Sequence, residues 1–162
     1  MKEIANHKDF YKKGRISEFT GKPLPLSDRA VAEYYTANNN GIVLGYNLYN
    51  RWNISTQIKK KKYIVSNLST EDITKIKQIT IKKVDMKFTD KIRKHVEVLE
   101  VIDKSNFENN IEDFNKTAFK SMIKQFSKIY DRETLNYVVD KLGYREEITD
   151  KVIELLEVTK ND

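Results

Sequence analysis

The chain has 162 residues, no cysteine, two histidines and a formal net charge of +6, from 30 Lys/Arg against 24 Asp/Glu, with 39% hydrophobic residues. That length and apolar content suit one globular domain, spanning 1–162, with a core of its own. The absence of thiols excludes disulfides, thiolate metal centres and cysteine nucleophiles, and the longest apolar fragments, such as Ile42-Val43-Leu44, fall far short of the roughly 20 residues that span a bilayer.

Nothing in the first 30 residues joins a basic start to an apolar run of signal-peptide length, so a cytoplasmic location with no membrane partner is expected. Charge is spread unevenly. Residues 1–100 hold 20 Lys/Arg and 11 Asp/Glu, whereas residues 101–162 hold 10 and 13. A basic front part attracts phosphate backbones through counterion release, although 24 lysines against six arginines equally suit a solvated face.

In chain order, Ser27 after Pro25-Leu26 is an N-cap candidate, and Leu26 with Val31 has hydrophobic-staple spacing, so a helix should begin there. Ala30, Val31, Tyr34 and Tyr35 would form its inner face, and Asn38-Asn39-Asn40-Gly41 would end it, because Asn and Gly tolerate left-handed backbone. Leu44, Leu48 and Trp52 fall four apart on a helical stripe, with Gly45 near the start of a second short helix. Trp52 shares that stripe and therefore reads as core rather than as a stacking platform. Lys59-Lys60-Lys61-Lys62 leads into the β-rich run Tyr63-Ile64-Val65, and 67–71 is turn-like. Ile79 and Ile81 alternate with polar residues, as do Val84, Met86 and Phe88, but the parity slips at Lys82-Lys83. A hairpin turn or a β-bulge there would account for it.

After Thr89 the period becomes helical. Ile92, Val96, Leu99 and Ile102 make one stripe, and Phe119, Met122, Ile123, Phe126, Ile129 and Tyr130 a second. Leu135, Val138, Val139 and Leu142 make a third, and Ile148, Val152, Leu155 and Leu156 a fourth. Asp131 is placed to cap the third helix and Gly143 to end it, while the polar stretch 106–113 reads as a connection. The fold class is therefore α+β: a small mixed sheet with short helices over 10–88, followed by a C-terminal cluster of helices over 89–162.

Signatures of catalysis are scarce. His7 and His95 are 88 residues apart with no partner at ligand spacing, which speaks against zinc, and His95 reads as a helix-surface residue. Phosphate-loop, dinucleotide-turn and nucleophile-elbow motifs do not occur, and no cofactor is implied. Asp72 followed by Asp85-Met86-Lys87 on an expected strand mimics the two-carboxylate-plus-lysine grouping of magnesium nucleases. The same alternation is also that of a solvated strand face. The better binding candidates are Lys59, Lys60, Lys61, Lys62, Lys82, Lys83, Arg93 and Lys94, with Lys91 nearby, which form one phosphate-binding patch if their strands are neighbours. Few arginines and no evident recognition helix argue against base reading in the major groove.

One arrangement of motifs goes further. The aromatic-Lys-Lys-Gly run at Phe10–Gly14, the Gly21-x-x-Leu24-Pro25-x-Ser27 turn, the short helix, the Gly-bounded segment with its Tyr46 to Trp52 face, and Ser55-Thr56-Gln57 stand in an order that resembles the AbiEi-like antitoxins of type IV toxin-antitoxin systems. The resemblance runs from Phe10 to about Phe88. It implies two short strands about the Lys82-Lys83 turn, and so favours the hairpin over the bulge. It also implies the C-terminal, toxin-opposing part of such an antitoxin without the N-terminal winged helix-turn-helix. The chain departs from the family where Ile58-Lys59 stands in place of a Val-Pro pair after Ser-Thr-Gln and Lys82-Lys83 in place of a Gly-Asn turn. The expected role is a non-enzymatic antitoxin or regulatory module of a bacterial or mobile-element defence system that binds nucleic acid or a toxin's target. The alternatives are a phage- or plasmid-encoded inhibitor of a host nuclease and, third, a magnesium nuclease using Asp72, Asp85 and Lys87.

Overall fold

A computed structural model describes residues 27–108 and 110–161, with the side chains of 107 and 108 excluded. The Phe10–Gly14 and Gly21–Leu26 motifs, and with them the Leu26 end of the staple, lie outside the described residues. The order is α1 (Asp28–Thr36), a 3-10 turn (Ala37–Asn39), β1 (Gly41–Leu44), α2 (Tyr46–Arg51), β2 (Lys62–Ser66), β3 (Ile73–Ile76) and β4 (Ile79–Lys83). Then come α3 (Asp90–Ile102), running on into a π-helical turn at Asp103–Glu108, α4 (Lys116–Ser127), α5 (Arg132–Leu142) and α6 (Glu147–Lys160). The fold is α+β, a four-stranded mixed sheet followed by a helical cluster. No helix among the described residues is long and apolar enough to cross a membrane.

Local chemistry sets the element ends. The Ser27 hydroxyl accepts from the Ala30 N–H, and Thr89, Asn115 and Asp131 do the same at the starts of α3, α4 and α5, each satisfying a donor that a helix start leaves open. Asn38 and Asn39 adopt left-handed φ of 58° and 62° after α1, and Gly143 does so at 70° after α5. Asparagine and glycine accept that geometry with least strain.

The sheet order is β1-β2-β4-β3. β1 and β2 are antiparallel, β2 and β4 parallel, and β3 and β4 antiparallel. Strand alternation divides the sheet into two faces. Val43, Ile64, Ile76, Ile79 and Ile81 look towards α1, where Val31 and Tyr35 close a small core. Ile42, Leu44 and Val65 look the other way, into a larger core built with α2 and the four C-terminal helices. All four expected helical stripes supply that core, with Val96, Leu99, Ile102, Met122, Phe126, Leu135, Val138, Ile148 and Val152 among its buried members.

Four local expectations are corrected. The hairpin turn is at Lys77-Gln78, between β3 and β4, not at Lys82-Lys83, which end β4. Val84, Met86 and Phe88 are buried but belong to no strand. The parity slips there because the chain leaves the α1-side core of Ile79 and Ile81 and delivers the next three apolar residues to the helical core. Leu44 belongs to β1, so the stripe it forms with Leu48 and Trp52 is partly strand. His95 is fully buried and not on the helix surface. Its Nδ1 lies 2.7 Å from the Lys91 carbonyl and its Nε2 accepts from the Asp131 N–H at 3.1 Å, so both ring nitrogens find partners away from water.

Candidate functional site

The cationic residues singled out by sequence fall in separate places. β2 and β4 are indeed neighbours, but their parallel register sets Lys62 beside Ile79 and Val65 beside Lys82. Lys59–Lys62 therefore lie towards one end of the sheet and Lys82-Lys83 towards the other, about 10 Å further along. Alternation also puts Lys62 and Lys83 on the α1 face and Lys82 on the opposite one. Lys59 is engaged locally: its ammonium meets Glu112 at 2.9 Å and lies 5.4 Å from the Tyr46 ring centre. The hydrogen bond to Glu112 raises its pKa above the usual lysine value. Lys60 and Lys61 are exposed.

The cations near α3 are dispersed too. Arg93 Nη2 donates to Asn39 Oδ1 at 3.5 Å and Lys87 Nζ to Asn40 Oδ1 at 2.8 Å, tying both to the loop after α1. Lys91 pairs with Asp131 at 3.5 Å. Lys94 rims a groove of about 520 Å³ whose floor includes Trp52, Val98 and Phe126. Trp52 is half-buried and its indole N–H donates to Glu97, which agrees with its reading as core. Asp72 and Asp85 are exposed, and Lys87 is held by Asn40 rather than by either carboxylate. Among the described residues no three His, Cys, Asp or Glu side chains gather as a metal-ligand group.

What the register does assemble was not visible in any one segment. On the face opposite α1, one row across the sheet reads Ile42, Val65, Lys82, Ile73 and the next reads Leu44, Tyr63, Thr80, Lys75. The helices cover Ile42, Leu44 and Val65. They leave four of the other five residues uncovered and one half-buried: Tyr63 is 50% exposed, Ile73 57%, Lys75 and Lys82 are exposed and Thr80 is half-buried. The Tyr63 ring packs against Gly45, where an added Cβ would lie 3.4 Å from its Cδ2. Gly45 has a φ of 70°, so the chain can turn into α2 beneath the ring without a side chain in the way. Among the described residues no ion pair engages Lys75 or Lys82.

Lys82 also lines a cleft of about 360 Å³ between the sheet and the helices, with Glu100, Asp103, Lys104, Tyr144 and Arg145. Arg145 pairs with the largely buried Asp103 at 3.2 Å. The Tyr144 hydroxyl donates to Glu100 at 2.8 Å, and burial, then the Glu100 charge, pushes its pKa well above the usual tyrosine value. Beyond Lys82, its two cations and two carboxylates balance, so the cleft adds no net positive charge to the strip. Sequence reasoning flagged Lys82 and missed Tyr63, Lys75 and Thr80. The only signal for them was the shared parity of Tyr63 with Val65 and of Ile73 with Lys75, which acquires meaning only through cross-strand register. Family models, curated proteins and solved structures yield no match to this chain.

Proposed function

We propose that the chain is a non-enzymatic binding module that holds nucleic acid by its phosphates across the uncovered part of the sheet, in an antitoxin-type or regulatory role in a bacterial or mobile-element defence system. The observation that carries the binding role is the strip itself, in which Lys75 and Lys82 stand exposed beside a half-exposed tyrosine on a rigid sheet face. Ammonium groups so placed displace counterions from a phosphate backbone without first breaking an ion pair. Lys60, Lys61, Lys83 and Lys94 are exposed elsewhere and add to long-range attraction. The regulatory role rests on the resemblance of residues 10–88 to AbiEi-like antitoxins.

Gel shifts of random duplex and of RNA at two salt concentrations test the reading. Replacing Lys75 and Lys82 by alanine is expected to flatten the slope of log K against log salt by about 0.7–0.9 per lysine. The fold should be unaffected, since both side chains are exposed. Absence of any shift at low salt would sink the proposal.

A second reading, a protein inhibitor of a host nuclease, draws on β3. That strand ends the sheet and carries the exposed Ile73, and an edge with an apolar side chain invites a partner's strand. A complex made by backbone pairing and apolar burial keeps its affinity as salt rises, so the same titration separates the two readings.

A further inference from the structure

The strip described above is more than a set of positive charges. Tyr63 presents an aromatic ring supported from below by Gly45. The register sets Lys82 across one strand and two residues along from it, with Cα atoms about 8 Å apart, and Lys75 two strands across, at about 10 Å. Ile73 adds apolar surface in the row beyond, directly opposite Lys82. A duplex keeps its base faces stacked on one another and shows this surface phosphates, sugars and groove edges, none of which gives the Tyr63 ring a face to stack on. An unpaired strand offers both a backbone for the lysines and a π-face for the ring.

We infer that the uncovered strip is a single-strand site, in which one base stacks on Tyr63 while the neighbouring phosphates meet Lys75 and Lys82; this rests on the nucleic-acid reading above. Thr80 lies between Tyr63 and Lys75, where its hydroxyl can donate to a sugar or phosphate oxygen. Sequence discrimination should be weak, because every base has a π-face and the strip holds no amide or guanidinium fork to read base edges.

The test is fluorescence anisotropy of labelled oligouridine and oligothymidine of about 12 nucleotides, and of a duplex of the same length, at about 50 mM salt. Both single strands are expected to bind at least about 10-fold more tightly than the duplex, and Tyr63→Ala to weaken them by about 5- to 100-fold without changing the salt slope. Tyr63→Trp should retain affinity, and its emission should be quenched as the base stacks. The wild-type protein, whose single tryptophan is the half-buried Trp52, serves as the blank. Should Tyr63→Ala fail to fold, the tryptophan variant decides, since binding without quenching would overturn the stacking. Tight duplex binding indifferent to Tyr63→Ala would overturn the single-strand inference and leave the phosphate reading standing. No binding of either form would overturn both. Preference for the uridine strand over a deoxyuridine strand of the same length would identify contact with the 2′-hydroxyl, and equal binding a site that senses only base and phosphate; each supports the inference.

Discussion

Gly41→Ala is expected to lower stability by about 3 kcal/mol or more, at or beyond the upper end of the usual cost of overpacking. A Cβ at this position would stand 2.4 Å from the Tyr35 carbonyl oxygen, 2.6 Å from that of Val65 and 3.0 Å from Ser66 Cβ. Two of those three atoms are backbone, so no side-chain rotation relieves the contact. The Tyr35 oxygen also accepts from the buried Ser66 hydroxyl at 2.7 Å, and Ser66 Oγ in turn accepts from the Leu68 N–H at 3.1 Å. Moving the end of α1 away would therefore unpair a buried network as well as open the small core under α1. Thermal unfolding followed by circular dichroism should show a fall in Tm of about 10 °C. Gly143→Ala is the natural comparison, because there the added Cβ meets nothing within 4 Å and only the left-handed backbone resists it, at about 1 kcal/mol. A Gly41→Ala protein no less stable than Gly143→Ala would mean that α1 does not seat on the sheet as described.

A linear pattern carries the physical information that acts within one segment. The C-terminal helices were legible because burial repeats every 3.6 residues within each segment, and because Asp131 and Gly143 are local chemistry acting at the position where they occur. β1 was not legible: Ile42-Val43-Leu44 is too short for periodicity, and Leu44 happens to fall in step with Leu48 and Trp52. The β3–β4 turn was hidden because Lys77-Gln78 lacks glycine and asparagine. Lys77 instead takes a φ of 54°, so the usual turn signal is absent; the slip at Lys82-Lys83 by itself leaves hairpin and bulge open, and only the resemblance points to a hairpin there.

The candidate site was harder still. A lysine cluster is a one-dimensional observation, whereas a binding surface depends on which strands are adjacent, in what direction and in what register. Lys59–Lys62 and Lys82-Lys83 did turn out to flank adjacent strands, but the parallel direction of β2 and β4 separated clusters that an antiparallel pairing in another register could have joined. The same register created the Tyr63, Thr80, Lys75 row from three segments, none of which stands out alone. Sequence spacing thus specified the cations, and tertiary pairing decided which of them share a face.

His95→Ala is expected to cost about 3–5 kcal/mol and to remove a pH dependence as well. The imidazole is fully buried, packed 4.8 Å from the Phe126 ring and 6.3 Å from that of Tyr130, centre to centre. Truncation leaves a cavity of side-chain size and orphans the Asp131 N–H that begins α5, a further loss for a buried donor. The two hydrogen bonds fix the tautomer: the Lys91 carbonyl requires a proton on Nδ1, and the Asp131 N–H requires a bare Nε2. Protonating Nε2 would set two donors against each other. Burial pushes the pKa below 6.5, the Lys91 carbonyl and the Asp131 charge opposing that shift only in part, while the Asp131 N–H, which needs a bare Nε2, acts with burial. The unfolded chain therefore takes up a proton on this residue before the folded one does. Its contribution to stability is whole above about pH 6.5 and is lost progressively as pH falls from there to the depressed folded value. Asp131 acts in a lower window. Hydrogen bonds from the Thr134 hydroxyl and N–H, and then Lys91, hold its carboxyl below 3.8, so its contribution fades only in stronger acid. Urea unfolding at pH 7.5, 6.0 and 5.0 should show the wild type losing stability across the series while His95→Ala stays level. His7 lies in both proteins and cancels in the difference. Parallel losses in the two proteins would remove His95 as the source and, with it, the neutral Nδ1–H tautomer in the folded state.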